Sequence, residues 1–181
     1  MLTANQPFTS FLVASNLGGF KYSLVWAKTR NSHPFFAHVR PLPQHEDICV
    51  FCEGKHTYHP QMEAAETPFR VNVNTSGKLR GDEPGKQWQG DSEERTMRFP
   101  TSVIRVSNPS REVGLHPTQK PIALMEYLIK TYTNEGETVL DNTMGSGTTC
   151  LAARNTGRRF IGIEKDEGYY KVACERLGVQ P

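Results

Sequence analysis

The sequence predicts an α/β fold built on a parallel strand pair, and three stretches predict it. "TVLD" (Thr138 to Asp141) is an apolar run that ends in a carboxylate. "DNTMGSGTT" (Asp141 to Thr149) is a glycine turn that opens a helix, and "RFIGIE" is a second apolar run closing on Glu164. Two apolar runs joined through a helix read as strand-helix-strand, and such a crossover makes the strands parallel neighbours.

The remaining elements follow in order. "FKYSLVWAKT" (Phe20 to Thr29) alternates and is rich in β-formers, so it reads as a strand; a loop with three prolines, "RNSHPFFAHVRPLPQ", follows it. "HEDICVFCE" is the next strand. From Gly54 to about Leu115 periodicity fails, and the segment is expected to be an irregular insertion with a functional reason. Order returns at "HPTQKPIALMEYLIKTYT", where Pro121 suits a helix start and Ile122, Met125, Leu128, Ile129 and Tyr132 form one apolar stripe. After "TVLD", "TTCLAARNTG" is a helix stopped by Gly157, and "DEGYYKVACERLG" is a last helix with Asp166 as N-cap and Gly178 as stop.

The 181 residues suffice for one domain with an insertion. No apolar run approaches the roughly 18 residues of a membrane span, and no charged leader precedes an apolar stretch, so a cytoplasmic protein without membrane contact is expected. Cys49 and Cys52 have metal-ligand spacing, with His45, His56 and His59 nearby. On a strand, however, an offset of three sends the thiols to opposite faces, so structural cysteines and no metal are expected. The net charge of +2 is unevenly placed: residues 1–45 contain no acidic side chain, while Lys21, Lys28, Arg30 and Arg40 are basic, with His33, His38 and His45 among them. Such a segment is either a solvated face or a contact for phosphates.

The glycine turn limits the ligand. A triphosphate-binding loop needs Lys after its last glycine, and Thr148 stands there. The dinucleotide pattern Gly-x-Gly-x-x-Gly is met by Gly145 and Gly147 but has Cys150 at its third glycine, which disfavours a nicotinamide oxidoreductase. An adenosine ligand without phosphates remains. Glu164 at the second strand's end can accept from ribose hydroxyls, the glycines allow close backbone approach, and the helix N-terminus favours a carboxylate. S-adenosylmethionine combines ribose, carboxylate and ammonium, with Asp141 placed for the ammonium.

Together, "HPTQKP", "DNTMGSGTT" and "FIGIEKDEGYYKVACERL" resemble the C-terminal part of DNA amino-methyltransferases, which methylate adenine N6 or cytosine N4. The order, cofactor segment last, is similar to the permuted β group; "LTANQPF", "KYSLVWAK" and "HEDICVF" extend the resemblance over nearly the whole chain. It implies a Rossmann-like adenosylmethionine-dependent methyltransferase fold with an incomplete sheet. It divides the chain into residues 1–53, the end of the catalytic half; 54–115, a target-recognition insertion; and 116–181, the cofactor-binding α/β unit. By the same resemblance Thr118, Gln119 and Lys120 flank the cofactor's methionine part. Asp141, Asn142, Thr143, Met144, Gly145, Ser146, Gly147, Thr148 and Thr149 form its main turn, and Glu164 holds its ribose. Asn142 and Thr143 depart from the family's usual Pro-Phe. Lys28, Arg30, His33, Arg40, Arg80 and Arg95 are candidate contacts for double-stranded DNA, with Lys86, Trp88 and Arg98 beside them in the insertion.

One expected motif is missing. The family's Asp/Asn/Ser-Pro-Pro-aromatic loop accepts hydrogen bonds from the target amino group and stacks on a flipped base. The chain has twelve prolines and no two are adjacent, so no catalytic residue is assigned. "HPFF" (His33 to Phe36) follows the wrong strand and lacks the carboxylate or carboxamide. In the resembling family this loop precedes "LTANQPF", and its strand lies beside "TVLD". The isolated chain is therefore expected to be marginally stable, to dimerise, or to be completed by an N-terminal fragment that supplies the missing strands. Two functions compete: a site-specific DNA amino-methyltransferase, adenine N6 favoured over cytosine N4 though no residue decides between them, of which this chain is the cofactor- and DNA-binding part, and a non-catalytic remnant that binds without transferring.

Overall fold

The computed structural model of the chain describes residues 1–32, 34–72, 92–108 and 115–180. It contains two compact units, Met1–His59 with Thr101–Pro181, and Pro60–Pro100.

The larger unit holds two sheets. Strands β1 (Leu2–Ala4), β2 (Phe20–Ala27), β3 (His45–Phe51) and β6 (Val103–Arg105) form a four-stranded sheet in the order β1-β3-β2-β6. β3 runs antiparallel to both neighbours, and β2 pairs parallel with β6 through Val25–Val103, Trp26–Ile104 and Ala27–Arg105. The second sheet is the expected parallel pair, β7 (Thr138–Asp141) with β8 (Arg159–Gly162), in the register Thr138–Arg159 to Asp141–Gly162. Among the described residues, β1 and β7 each have a partner on one edge only.

Helix α2 (Ile122–Tyr132) stands between the two sheets. Leu124 and Leu128 pack with Trp26, Ile48 and Ile104 of the four-stranded sheet. Ile129 packs with Ala152 and Ala153 of α3 (Thr148–Asn155), and Val139 and Phe160 of the parallel pair join this cluster. The apolar arc of α2 is thus wider than the single stripe expected, because the helix buries two faces; Met125 belongs to both clusters. Alanines on α3 let the two helices approach closely. The last helix, α4 (Glu167–Leu177), starts where Asp166 accepts the N–H of Tyr169 at 2.9 Å and stops at Gly178, φ +61°.

Three features differ from the sequence expectations. Helix α1 (Phe8–Ser15) was not foreseen: Phe8 and Phe11 are exposed, and only Thr9 is buried, donating to Asp47 at 2.9 Å, so the helix has no apolar stripe to read. The segment expected to be irregular contains β6. It also contains the smaller unit's antiparallel pair, β4 (Glu63–Asn72) and β5 (Ser92–Arg98). The described side chains of this pair are mostly exposed, and its register shifts between Ala64 and Phe69, the stretch carrying Pro68, so no apolar alternation marks it. Cys49 is fully buried next to Ser23, while Cys52 lies past the end of β3.

Candidate functional site

At the carboxyl end of β7 the chain closes a tight turn. Asp141 Oδ1 accepts the N–H of Thr143 at 3.1 Å, a side-chain mimic of a backbone turn. Met144 N donates to Ile163 O at 3.0 Å and Ile163 N donates to Asp141 O at 2.9 Å, so the parallel ladder continues into the turn. Gly145 and Gly147 have φ of +51° and +73°, a region that disfavours any residue with a Cβ. The space beside them belongs to protein: a Cβ on Gly145 would lie 3.3 Å from the His116 ring, and one on Gly147 3.2 Å from Ala173.

The turn is braced from three sides. Arg176 Nη1 donates to Ser146 O at 3.0 Å and to Thr148 Oγ1 at 2.9 Å. Gln119 Oε1 accepts from Ser146 Oγ at 3.3 Å and from Leu115 N at 3.0 Å, which ties the segment 115–120 to the turn. His116 meets Tyr169 edge-on with centroids 4.3 Å apart, and its Nδ1 accepts the N–H of Thr118 at 3.2 Å. Glu164 accepts from Asp166 N at 2.9 Å and from Gly145 N at 2.8 Å. Those two amides, Asp166's first, hold its carboxyl below the ordinary range, so it is ionised at neutral pH and keeps lone pairs for hydroxyl donors.

A cavity of about 360 Å³ lies over the turn. Its walls include Thr118, Gln119, Lys120, Asp141 to Ser146, Thr148 and Thr149, so the structure brings these candidates together. Gly147, within the turn, and Glu164, which accepts from Gly145 N, are not on the wall. Sequence reasoning missed the opposite wall, Met1 with Leu2 and Thr3 of β1 and Ile48, and the apolar floor of Met125, Leu128, Ile129 and Val139. The cavity therefore lies between the one-sided edges of β1 and β7. No side chain caps α3, and its first two residues line the cavity, so the helix's partial positive end is available to an anion there. Asp141 supplies the opposite charge. A ligand with a carboxylate, an ammonium and an apolar or aromatic body fits this arrangement.

The described nucleic-acid candidates fall in both units of the chain. The Lys28 side chain is buried, with its ammonium 2.5 Å from Glu46 Oε1 and over the Trp26 ring at 5.1 Å. Arg30 is exposed, its backbone N–H donating to Asn108 Oδ1 at 3.1 Å, and Arg40 lies over the Phe36 ring at 5.1 Å. In the smaller unit Arg95 pairs with Glu93 and Arg98 with Glu63, both at 3.1 Å. His33, Arg80, Lys86 and Trp88 lie outside the described residues. Among the described residues, no helix is long and apolar enough to cross a membrane.

A family model described as DNA methylase, of the N6/N4 type, matches residues 5–175. The chain belongs to the N6/N4 DNA methylase family. Among relatives of this methylase chain, the type II methyltransferase M.HindIII of Haemophilus influenzae is 45% identical over 80 residues, covering 44% of this chain and 26% of the relative. M.HpaI of Haemophilus parainfluenzae is 31% identical over 135 residues, 75% of this chain and 38% of the relative. The crystal structure of the M1.HpyAVI–SAM complex superposes with a TM-score of 0.64 at 28% identity, covering 98% of this chain and 72% of that one. The cytosine-N4-specific PvuII DNA methyltransferase shares the fold, with a TM-score of 0.60 at 18% identity over 94% of this chain and 56% of that one. The methylase chain thus spans between a quarter and two fifths of those two curated relatives.

Proposed function

We propose that this chain is the cofactor- and DNA-binding part of a site-specific DNA methyltransferase. The complete enzyme would transfer the methyl group of S-adenosylmethionine to an exocyclic amino group of a flipped base, with adenine N6 the first product to test. The observation that carries this reading is the cavity over the glycine turn, in a chain of the N6/N4 methylase family. Asp141 suits the ligand's ammonium, the N-terminus of α3 and Lys120 suit its carboxylate, and Glu164, ionised and fixed by two amides, suits its ribose. Bound there, the sulfonium supplies the methyl group; the residues named bind and orient it. Titration calorimetry of the chain with adenosylmethionine tests the cofactor, the expected result being one site of micromolar order and Asp141→Ala weakening it at least tenfold. Heat no different from dilution refutes the reading.

A second reading is favoured by a specific observation: no two of the twelve prolines are adjacent, so the amino-orienting loop is not within these 181 residues. On this reading the chain binds without transferring, and transfer needs further polypeptide, a homodimer partner or a complementing fragment, that pairs with the open edges of β1 and β7. Labelled methyl transfer to double-stranded DNA by this chain alone would refute it, and digestion of the product to nucleosides separates N6-methyladenine from N4-methylcytosine. DNA affinity that falls steeply between about 50 and 200 mM salt supports phosphate contacts, and a flat response opposes them.

A further inference from the structure

Three charged side chains from three distant stretches meet beneath the cleft. Glu46 of β3 receives Lys28 of β2 at 2.5 Å on Oε1 and Lys120 of the segment 115–120 at 2.6 Å on Oε2. Trp26, buried and donating its indole N–H to Val106 O at 2.8 Å, presents its ring to both ammonium groups, at 5.1 and 5.7 Å. The carboxylate is itself buried, at 8% exposure, so an isolated charge there would be costly; two cations and an aromatic face offset that cost. Burial pushes the Glu46 carboxyl up, and the hydrogen bonds and charges of Lys120 and Lys28 outweigh it, leaving the group below its ordinary value and ionised.

The two lysines differ in what lies beyond them. Lys120 is on the wall of the cavity over the glycine turn, and Glu46 is not. The segment 115–120 is also fastened at a second point, Gln119 and His116 against Ser146 and Gly145. It therefore spans from the four-stranded sheet to the glycine turn, and Glu46 is its anchor at the sheet end.

We infer that Glu46 is a positioning residue of the cofactor site: through Lys120 it fixes the segment 115–120 against the glycine turn and sets the net charge of the Lys28–Glu46–Lys120 cluster behind the cavity wall to one positive. A ligand carboxylate meets a wall that attracts it without two uncompensated ammonium groups repelling each other behind it. The inference rests on the adenosylmethionine reading, and its test separates the two.

The full chain is compared with Glu46→Gln, with Glu46→Gln/Lys120→Met, and with Lys171→Ala as a control that removes only the exposed pair with Glu167 on α4. Two quantities are read: adenosylmethionine affinity by calorimetry, and hydrogen exchange of the backbone amides of residues 115–120 without ligand. Near-ultraviolet circular dichroism checks that each variant retains its packing. Glu46→Gln is expected to weaken adenosylmethionine at least tenfold and to speed exchange in 115–120 several-fold. The double variant should bind no more weakly than Glu46→Gln, and the control should match the wild type in both. Affinity within twofold of wild type with unchanged exchange in Glu46→Gln overturns the inference. So does loss of packing in Glu46→Gln that the double variant does not restore, since Glu46 then serves the core alone. If the wild type binds no adenosylmethionine, the cofactor reading fails by itself. The exchange measurement then decides whether Glu46 anchors the segment.

Discussion

The glycine turn and the ionic cluster at Glu46 meet at one cavity, the cluster through Lys120, yet they are made in opposite ways. The turn is local: residues within about twenty-five positions, from Asp141 to Asp166, close it through backbone amides and two positive-φ glycines. The cluster is remote: Lys28 and Lys120 reach Glu46 across 18 and 74 positions. Backbone geometry tolerates a change of side chain so long as the Cβ fits. A charge cluster fails when any member leaves, because the others remain buried and uncompensated.

Substitutions on the two sides test that contrast. The largest effect is expected at the remote cluster, where Trp26→Ala removes a side chain at 2% exposure with the ring beneath both lysines; a loss of about 3–5 kcal/mol in denaturant unfolding is expected. On the turn side, Gly162→Ala would place a Cβ 2.3 Å from Met144 Sδ and 2.8 Å from Cys150 Sγ, and the overpacking is expected to cost about 1–3 kcal/mol in the same measurement. Arg176→Met leaves Ser146 O and Thr148 Oγ1 without their donor, with an expected loss of about 1–3 kcal/mol and weaker adenosylmethionine binding by calorimetry.

Acid tests the cluster through Glu46. The folded Glu46 carboxyl lies below its ordinary value, so the native chain binds fewer protons than the unfolded one as pH falls toward the usual carboxylate range. Its contribution to stability is fully present above about pH 5 and is lost as pH drops through the lowered value. Stability measured between about pH 5 and 3 should therefore fall less steeply in Glu46→Gln than in the wild type. The smallest change is expected away from both regions: Arg98→Ala breaks an exposed pair with Glu63 between β4 and β5, and should shift stability by less than about 1 kcal/mol.

The same contrast explains what the sequence discloses. Asp166 as N-cap, Gly178 as stop, and the β7-turn-α3-β8 order are legible because each is set by a few adjacent residues. The ring of Thr118 to Lys120, Asp141 to Ser146, Thr148 and Thr149 around one cavity follows from the family resemblance together with that local geometry. Lys28 shows the limit. The absence of acidic residues in 1–45 suggests an outward positive face, but its counter-charge is Glu46, the very next position after that segment, and the two meet only through the β2–β3 pairing, Trp26 opposite Glu46. Helix α1 and the β4–β5 pair escape a reading of periodicity because neither sorts apolar from polar side chains by face. The cleft's far wall escapes it because Leu2 and Thr3 are joined to Val139 and Asp141 by folding alone.

Helix α2 has a further consequence. Within six residues, Leu124 and Leu128 enter the cluster under the four-stranded sheet, Ile129 enters the one under the parallel pair, and Met125 packs against both. Neither sheet can shed its cover without uncovering the other, so the larger unit is a single spindle with two bearings and should come apart in one step. Among its elements, this helix should be the last to surrender its hydrogen bonds to solvent.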